Sequence, residues 1–530
     1  MRFSSQLAPF QVSRGALINV GIFVLALCAA YKIAGYIVLG DNQSLGFTGI
    51  ALIGCVVVIV VLSNWKRGLY FLLSWLLFED LARKFLGNNM AIYFAKDFFL
   101  AVVYFSFLVS WRQKQKDLQT FRPPFLTILL VFVWFGAMQV FNPASTSIFY
   151  GFLGMKLYFY YVPLMFLGYS LINSEAELRK FFYINLGLVL VIAVLGIAQS
   201  IAGPRFLNPA VMADDIRLLS ETYRVAPISG VRVYRPTSVF VSAGRFGDLL
   251  IVGWLLVFGF SGYLLLRDRR GRIFAFLALA VTAAACVMCA SRGVFMWSLG
   301  GTVVGAVAFI WGAPWRQGEA LRVFRTLQRV ALGIGLASVV MFFSYPDAFL
   351  NRLAVYSETL DPRSPTSELL HRSRDYPLKN FLAAFDYDRW PYGYGIGTLS
   401  LGGQYVTRFF HAPPPVGGVE SGFGVIVVEM GIVGLILWIT VSVAILISAW
   451  KVVRALKGSP WFPVAFMILL YALVLLLPMT FVSMTGYQDF ILNAYLWLLL
   501  GILFRLPKLA VSAQSTTNIA PLPAAQRWVR

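Results

Sequence analysis

Charged side chains are scarce in this chain of 530 residues: Asp, Glu, Lys and Arg make up 13% of it, against about 25% in ordinary soluble domains. That shortage over such a length excludes a water-soluble enzyme, a disulfide-stapled secreted domain and a disordered chain. Cysteine occurs four times and histidine twice. Cys28, Cys55, Cys286 and Cys289 all fall inside apolar runs, so no disulfide framework lies outside them, and Cys286 with Cys289 reads as helix packing over a redox or metal motif. His371 and His411 are far apart, with no Cys or carboxylate spaced around them, which predicts no metal site. What is abundant is apolar: 59% hydrophobic and 16% aromatic residues, with a mean hydropathy of +0.76. The composition predicts an all-α polytopic integral membrane protein embedded in a lipid bilayer.

Apolar runs long enough to cross about 30 Å of hydrocarbon can be marked at Ala16 to Leu39, Phe47 to Leu62, Gly68 to Leu86, Ala91 to Ser110, Phe125 to Phe141, Phe149 to Ile172 and Phe181 to Ile201. A second group follows at Phe246 to Leu266, Ile273 to Ala290, Val294 to Trp311, Leu327 to Tyr345, Ser421 to Trp450, Pro463 to Val482 and Phe490 to Phe504. The total is about fourteen transmembrane helices. Gly68 to Leu86 is the weakest, because Glu79, Asp80, Arg83 and Lys84 crowd its end; it reads equally as a short or re-entrant piece. Lys and Arg cluster in alternate connections, at Lys66 and Arg67, Arg112 to Arg122, Arg179 and Lys180, Arg267 to Arg272, Arg316 to Arg325 and Lys451 to Lys457. By the positive-inside rule these fall on the cytoplasmic side with both termini. Much of the net charge of +21 is therefore a topology signal, and no nucleic-acid partner is expected. Arg14 ahead of the first run mimics a signal peptide, but the run continues through Lys32 to Leu39 and reads as an uncleaved span.

The domain organisation follows: 1–201 N-terminal spans, 202–245 a first long extracytoplasmic loop, 246–345 central spans, 346–420 a larger extracytoplasmic loop, 421–506 C-terminal spans, and 507–530 a disordered cytoplasmic tail. The two loops, of roughly 40 and 75 residues, far exceed ordinary connections, and their aromatic content predicts that they fold. A helix is expected from Glu368 to Phe385. The turn Gly393-Tyr394-Gly395-Ile396-Gly397 has no strand ahead of it; it reads as a tight backbone turn at the rim of a cavity, not as a nucleotide cradle.

The loops prefer one cation. They carry Arg205, Arg217, Arg224, Arg232, Arg235, Arg245, Arg352, Arg363, Arg372, Arg374, Arg389 and Arg408 against a lone Lys379. Guanidinium binds phosphate or carboxylate in two places and stays charged when half-buried. The competing reading pairs several of these with Asp214, Asp215, Glu221, Asp375, Asp386 and Asp388 as surface ion pairs. Arg292 stands in a tight turn between two otherwise uncharged spans, where it needs a protein carboxylate or an anionic head group as partner.

Four short segments in order, Tyr234-Arg235-Pro236-Thr237-Ser238-Val239-Phe240, Ala290-Ser291-Arg292-Gly293, Pro391 to Gly397, and Glu420-Ser421-Gly422-Phe423 with Glu429-Met430-Gly431-Ile432-Val433-Gly434, resemble the O-antigen ligase and Wzy-type polysaccharide polymerase superfamily over about the last 300 residues. The resemblance implies a metal-independent glycosyltransferase without cofactor at the outer face of the bacterial inner membrane. It would use oligosaccharides on undecaprenyl pyrophosphate, with a polysaccharide co-polymerase as a partner that sets chain length. By motif, Arg235 and Arg292 hold the pyrophosphate, whose growing charge preorganised cations stabilise; Arg232 and Arg245 are lesser candidates. In the ligase branch a His-Asn pair opens the helix containing Glu429, and here Glu420 takes that place, which leans towards polymerase.

Glu420, just ahead of an apolar helix whose dipole favours its ionised form, is one candidate general base; its competing role is a helix cap paired with an arginine. His411, before three prolines, is the other, with a plain loop residue as the competing role. Glu429 lies about 180° round the helix from Glu420 and is expected to pack or hydrogen-bond between helices. Arg245 and Asp248, three apart at a helix start, read most simply as an ion pair, and Asp386 and Asp388 as solvated. The expected activity is polymerisation of lipid-linked repeat units into exopolysaccharide, capsule or O-antigen. The rivals are a ligase that transfers glycan to lipid A core or protein, and a transporter or flippase of lipid-linked sugars, which would show internal repeats and midplane charged or broken-helix sites.

Overall fold

The computed structural model describes residues 54–86, 90–112, 121–210, 212–267, 271–314, 342–361 and 374–518, with isolated positions between 325 and 340. The expected span Ala16 to Leu39, most of Leu327 to Tyr345, the start of Phe47 to Leu62, and His371 lie outside them. Among the described residues eight helices are long and apolar enough to cross a bilayer: Ala91–Arg112, Glu175–Ala202, Ala243–Arg267, Gly271–Met288, Arg292–Gly312, Gly422–Ala455, Phe462–Val482 and Phe490–Ala510. Each coincides with one of the apolar runs. Together they establish a helical membrane protein, because only helices or closed barrels satisfy every backbone group in hydrocarbon.

The chain forms two compact units. In the smaller, which among the described residues comprises 54–71 and Asp97–Ser110, Trp65 meets Phe107 edge-on at 5.1 Å and Ser106 Oγ donates to the Val61 carbonyl at 3.0 Å. The larger unit, Leu72–Lys96 with Trp111 onward, contains everything described below.

Within the larger unit burial sorts the helices. In the best apolar window of Phe490–Ala510, 89% of residues are buried, against 33% for Arg292–Gly312; the first is a central post and the second keeps a face for lipid. The post crosses Leu164–Leu171 at backbone contact, where a Cβ on Gly168 would lie 2.2 Å from the Leu498 carbonyl oxygen and one on Gly501 2.0 Å from that of Met165. Small residues let membrane helices approach this closely.

Three expected spans depart from straight helices. Phe149 to Ile172 breaks into Ile148–Phe159 and Leu164–Leu171, because Pro163 has no N–H to give and disfavours helix in the residue before it. Pro478 puts a wide turn, Leu475–Met479, into Phe462–Val482. Gly422–Ala455 breaks at Gly431, whose φ of 71° only glycine adopts freely. The last helix runs on through Pro507 to Asn518, so the tail does not begin at 507: Lys508 to Val511 are adequate helix formers, and Arg505 anchors the turn to the Ile172 carbonyl at 2.9 Å.

Both long loops fold. The first holds a short helix, Asp214–Ser220, and a hairpin pairing Tyr223–Val225 with Arg232–Tyr234. The second contributes Pro346–Leu360, Tyr376–Ala383 and Gly403–Phe410. Of the helix expected from Glu368 to Phe385, the start lies outside the described residues; Tyr376–Ala383 is helical, with Pro377 in its first turn, where a missing N–H costs nothing.

Candidate functional site

The hairpin leads directly into Arg235–Phe240, a non-helical stretch buried among helices, with Thr237, Ser238 and Phe240 all at 0% exposure. Buried backbone needs partners. Gln199 Oε1 accepts from the Thr237 and Ser238 amides at 2.8 and 2.6 Å, and Lys84 Nζ donates to Thr237 Oγ1 and the Ser238 carbonyl at 2.9 and 2.8 Å. Asp80 Oδ2 accepts from the Val241 amide at 3.3 Å.

Those side chains explain the crowd of charges that weakened the third apolar run. Trp65–Leu86 is a full 22-residue helix, and its charged end is buried against partners. Asp80 pairs with Arg83 at 3.0 Å and, through both oxygens, with Arg245 at 2.8 and 2.7 Å; Glu79 pairs with Lys96 at 3.0 Å. Of these charges, Lys84 bonds the Arg235–Phe240 loop itself and Asp80 the Val241 amide just after it.

Arg245 is therefore engaged. It holds Asp80 and lies 3.4 Å from Asp489, and the expected pair with Asp248 does not form. Spacing on one helix allowed the pair; a carboxylate on another helix, with bidentate geometry, wins it. This also removes Arg245 as a free phosphate ligand. Arg232 stands exposed on the hairpin opposite Val225.

Arg292 opens Arg292–Gly312 and donates through Nη2 to the Val225 carbonyl at 3.5 Å. With Arg224 it stands on the wall of a cavity of about 730 Å³ whose remaining lining, including Met296, Trp297, Leu470 and Pro478, is otherwise nearly all apolar. Arg224 was one of twelve loop arginines in the sequence, and only the hairpin register sets it beside Arg292. Arg235 is half-buried and makes no side-chain hydrogen bond or ion pair among the described residues. Burial holds its guanidinium below the ordinary arginine value.

The second loop closes on the first. On Pro346–Leu360, Arg352 donates to the Met288, Ser200 and Tyr234 carbonyls at 3.0, 3.0 and 3.5 Å. Glu358 accepts from the Ile228 and Ser229 amides at 2.8 and 2.9 Å, and those hydrogen bonds, from Ser229 foremost, hold its carboxyl below its usual value. The ion-pair reading of the loop arginines holds for Arg217 with Asp214 and Arg374 with Asp375, both at 2.7 Å.

Neither candidate base is in the lining of the cavity beside Arg224 and Arg292. Glu420 is exposed just ahead of Ser421, the residue that caps Gly422–Ala455; its amide donates to Asn380 Oδ1 at 3.4 Å. His411 is exposed in a left-handed conformation at the end of Gly403–Phe410. Among the described residues neither side chain bonds to any arginine. Glu429 does join helices: fully buried, it accepts from Tyr158 Oη, the Leu399 amide and Ser400 Oγ, each at 2.9 Å. The glycine-rich turn inserts into the break at Gly431, where the Tyr394 and Gly395 amides donate to the Val428 and Glu429 carbonyls at 2.8 and 2.9 Å. Pro391 and Tyr392 border a cavity of about 640 Å³.

Among the described residues no three His, Cys, Asp or Glu side chains converge on a point that would hold a metal ion. No family model matches the chain, and no curated protein matches it.

Proposed function

We propose that the chain is a glycosyltransferase of the bacterial inner membrane, of about fourteen spans with both termini cytoplasmic, that polymerises undecaprenyl-pyrophosphate-linked oligosaccharide units at the outer face. One observation carries the reading: Arg224 and Arg292 lie in the wall of an otherwise apolar cavity of about 730 Å³ bounded by two spanning helices. Paired guanidiniums in an apolar wall suit an amphiphile with a multiply charged phosphate head and a hydrocarbon tail. Arg235, half-buried without an anion, supports it, because an uncompensated buried charge is costly unless a ligand supplies the partner. The order of the four short segments points to the same chemistry.

In the proposed step a sugar hydroxyl of one lipid-linked unit attacks the anomeric carbon of another. A glycosidic C–O bond forms, the anomeric C–O bond to pyrophosphate breaks, and the arginines take up the charge growing on the leaving group. The sequence offers Glu420 and His411 as takers of the hydroxyl proton. A ligase would differ only in its acceptor. The transporter reading draws on the helix break at Gly431 and the buried Glu429 beside it; against it, that break is filled by hydrogen-bonded chain, not by a cavity.

The test is reconstitution of the full chain with a polyprenyl-pyrophosphate oligosaccharide. Lengthening products identify a polymerase, transfer of preformed glycan to an added acceptor a ligase, and movement across the bilayer without new bonds a transporter. Arg292→Lys, which keeps charge and loses the planar fork, is expected to slow polymerisation by about 10²- to 10³-fold; unchanged turnover sinks the phosphate role.

A further inference from the structure

A second cavity lies apart from the arginine pair. It holds about 640 Å³ and shares no lining residue with the cavity of Arg224 and Arg292. Three pieces of chain bound it: the end of Leu126–Gln139 with the turn that follows, residues 388–392 of the second long loop, and the helix on either side of the Gly431 break. The proposed topology puts that turn and that loop on the outer face.

The backbone around this cavity is fixed. The Tyr392 carbonyl accepts from Gln139 Nε2 and that of Gly393 from Asn142 Nδ2, both at 3.1 Å, and the Tyr392 and Gly393 amides donate to the Arg389 carbonyl at 3.1 and 2.7 Å. Behind them the chain touches the helix break: a Cβ on Gly393 would lie 2.5 Å from the Glu429 carbonyl oxygen, and one on Gly431 2.3 Å from that of Pro391. The side chains carried on this frame are nonetheless uncovered. Tyr392 is 76% and Phe141 73% exposed. Asp388 and Arg389 are exposed too, and among the described residues neither makes a side-chain hydrogen bond or an ion pair.

A sugar ring calls for both kinds of contact. Its C–H faces lie on aromatic rings, whose own faces are electron-rich, and its hydroxyls, each a donor and an acceptor, bond to carboxylate, guanidinium and amide. Here Tyr392 and Phe141 offer rings, Asp388 accepts and Arg389 donates. Gln139 keeps one N–H and one acceptor site after its bonds to Tyr392 and Asn142. A lipid tail would leave both charges unanswered, and a phosphate would face Asp388 as well as Arg389. The volume falls in the range of small-molecule sites, and a frame already ordered lowers the cost of binding. We propose that this cavity binds the oligosaccharide of the lipid-linked substrate through Tyr392, Phe141, Asp388, Arg389 and Gln139, as a subsite separate from the arginines that hold the pyrophosphate. The inference rests on the glycosyltransferase reading for the identity of the ligand.

The experiment uses the full chain in phosphatidylcholine nanodiscs. Two probes are titrated: the oligosaccharide released by mild acid from the polyprenyl-pyrophosphate donor, and polyprenyl pyrophosphate without sugar. Tyr392→Ala and Asp388→Asn change exposed side chains, so the fold is expected to survive both. Each is expected to weaken binding of the released oligosaccharide by about three- to tenfold and to raise KM for the lipid-linked donor alongside, with kcat and polyprenyl-pyrophosphate binding within about twofold. Arg292→Lys should do the reverse, losing polyprenyl pyrophosphate and keeping the free oligosaccharide. Variants that bind the released oligosaccharide as wild type does overturn the subsite and leave the glycosyltransferase standing; co-purified phospholipid lost from those same variants would then name the occupant. Wild type that turns over the donor without binding the released oligosaccharide overturns the subsite alone. So do variants that lose polyprenyl pyrophosphate as strongly as the sugar, in favour of a head-group site. Wild type that neither forms glycosidic bonds nor binds polyprenyl pyrophosphate overturns the glycosyltransferase reading, whereas released oligosaccharide still bound there, and bound more weakly by Tyr392→Ala, supports the cavity as a glycan site.

Discussion

Two stretches of non-helical chain are buried among the helices of the larger unit, and they are held in opposite ways. Pro391–Gly397 is held mainly by backbone: its amides fill carbonyls freed by the break at Gly431, and Glu429 beside it is saturated with donors. Arg235–Phe240 is held by side chains from distant helices, Lys84 and Gln199, with Asp80 on the Val241 amide just after it. In the first arrangement the backbone and the buried carboxylate are matched, while Tyr392 stays exposed at the edge of a cavity. The second is braced by side chains and leaves Arg235 without a side-chain hydrogen bond among the described residues.

The comparison can be broken at Pro391–Gly397 first. Gly397→Leu is expected to abolish folded protein, because a Cβ there would lie 2.0 Å from the Tyr150 carbonyl oxygen at a φ of 90°; normal yield and a monodisperse elution profile would show that the turn is not seated this way. At Arg235–Phe240, Asp80→Ala takes from Arg83 and Arg245 the carboxylate both bond and leaves Arg245 the longer contact with Asp489; the loss of stability is expected to be about 3–5 kcal/mol, read by thermal unfolding in detergent. Lys84→Met removes two hydrogen bonds from the loop seat and should cost about 1–3 kcal/mol, with activity falling alongside. Glu429→Gln keeps one acceptor oxygen for the Leu399 amide and Ser400 Oγ and turns an amide donor towards Tyr158 Oη, a hydroxyl that also accepts; it is expected to cost about 1 kcal/mol with turnover near wild type. A hundredfold loss of turnover in a folded Glu429→Gln protein would erase the distinction between the two regions.

The smallest expected effect is on the clamp between the loops. The Glu358 carboxyl is held below its usual value, so its contribution is complete above the ordinary glutamate range of about 4.3 and is lost as pH falls through the lower folded-state value. Protection of the Ile228 and Ser229 amides from hydrogen exchange, taken relative to their intrinsic rates, should fall as pH drops below about 4.3, and Glu358→Gln should remove that dependence.

Much of the helical frame was legible because composition and run length report directly on the solvent a segment meets. The breaks were less so: Pro163 and Pro478 are visible in the sequence, but Gly431 is one glycine among 45, and what breaks its helix is a turn more than thirty residues upstream in the chain. The charged end of Trp65–Leu86 was opaque for a related reason: four charges have no evident place at the end of an apolar helix until the partners Arg245, Lys96 and Thr237 are known. Arg224 could have been suspected from the short alternating stretches around 223–225 and 232–234, yet two residues of alternation on each side are too few to set a register.

By itself the sequence determined the medium. A chain this apolar, with so few charges, minimises its free energy only as helices in a bilayer, and that follows from the transfer energies of side chains whatever they touch. Tertiary structure alone decided which charges meet. Arg245 had Asp248 one turn away and took Asp80, 165 positions distant in the chain, because Coulomb attraction and hydrogen-bond geometry act over ångströms in space and are blind to separation along the backbone. Asp248, left by that choice without an ion pair among the described residues, could be recognised only after the partner of Arg245 had been assigned.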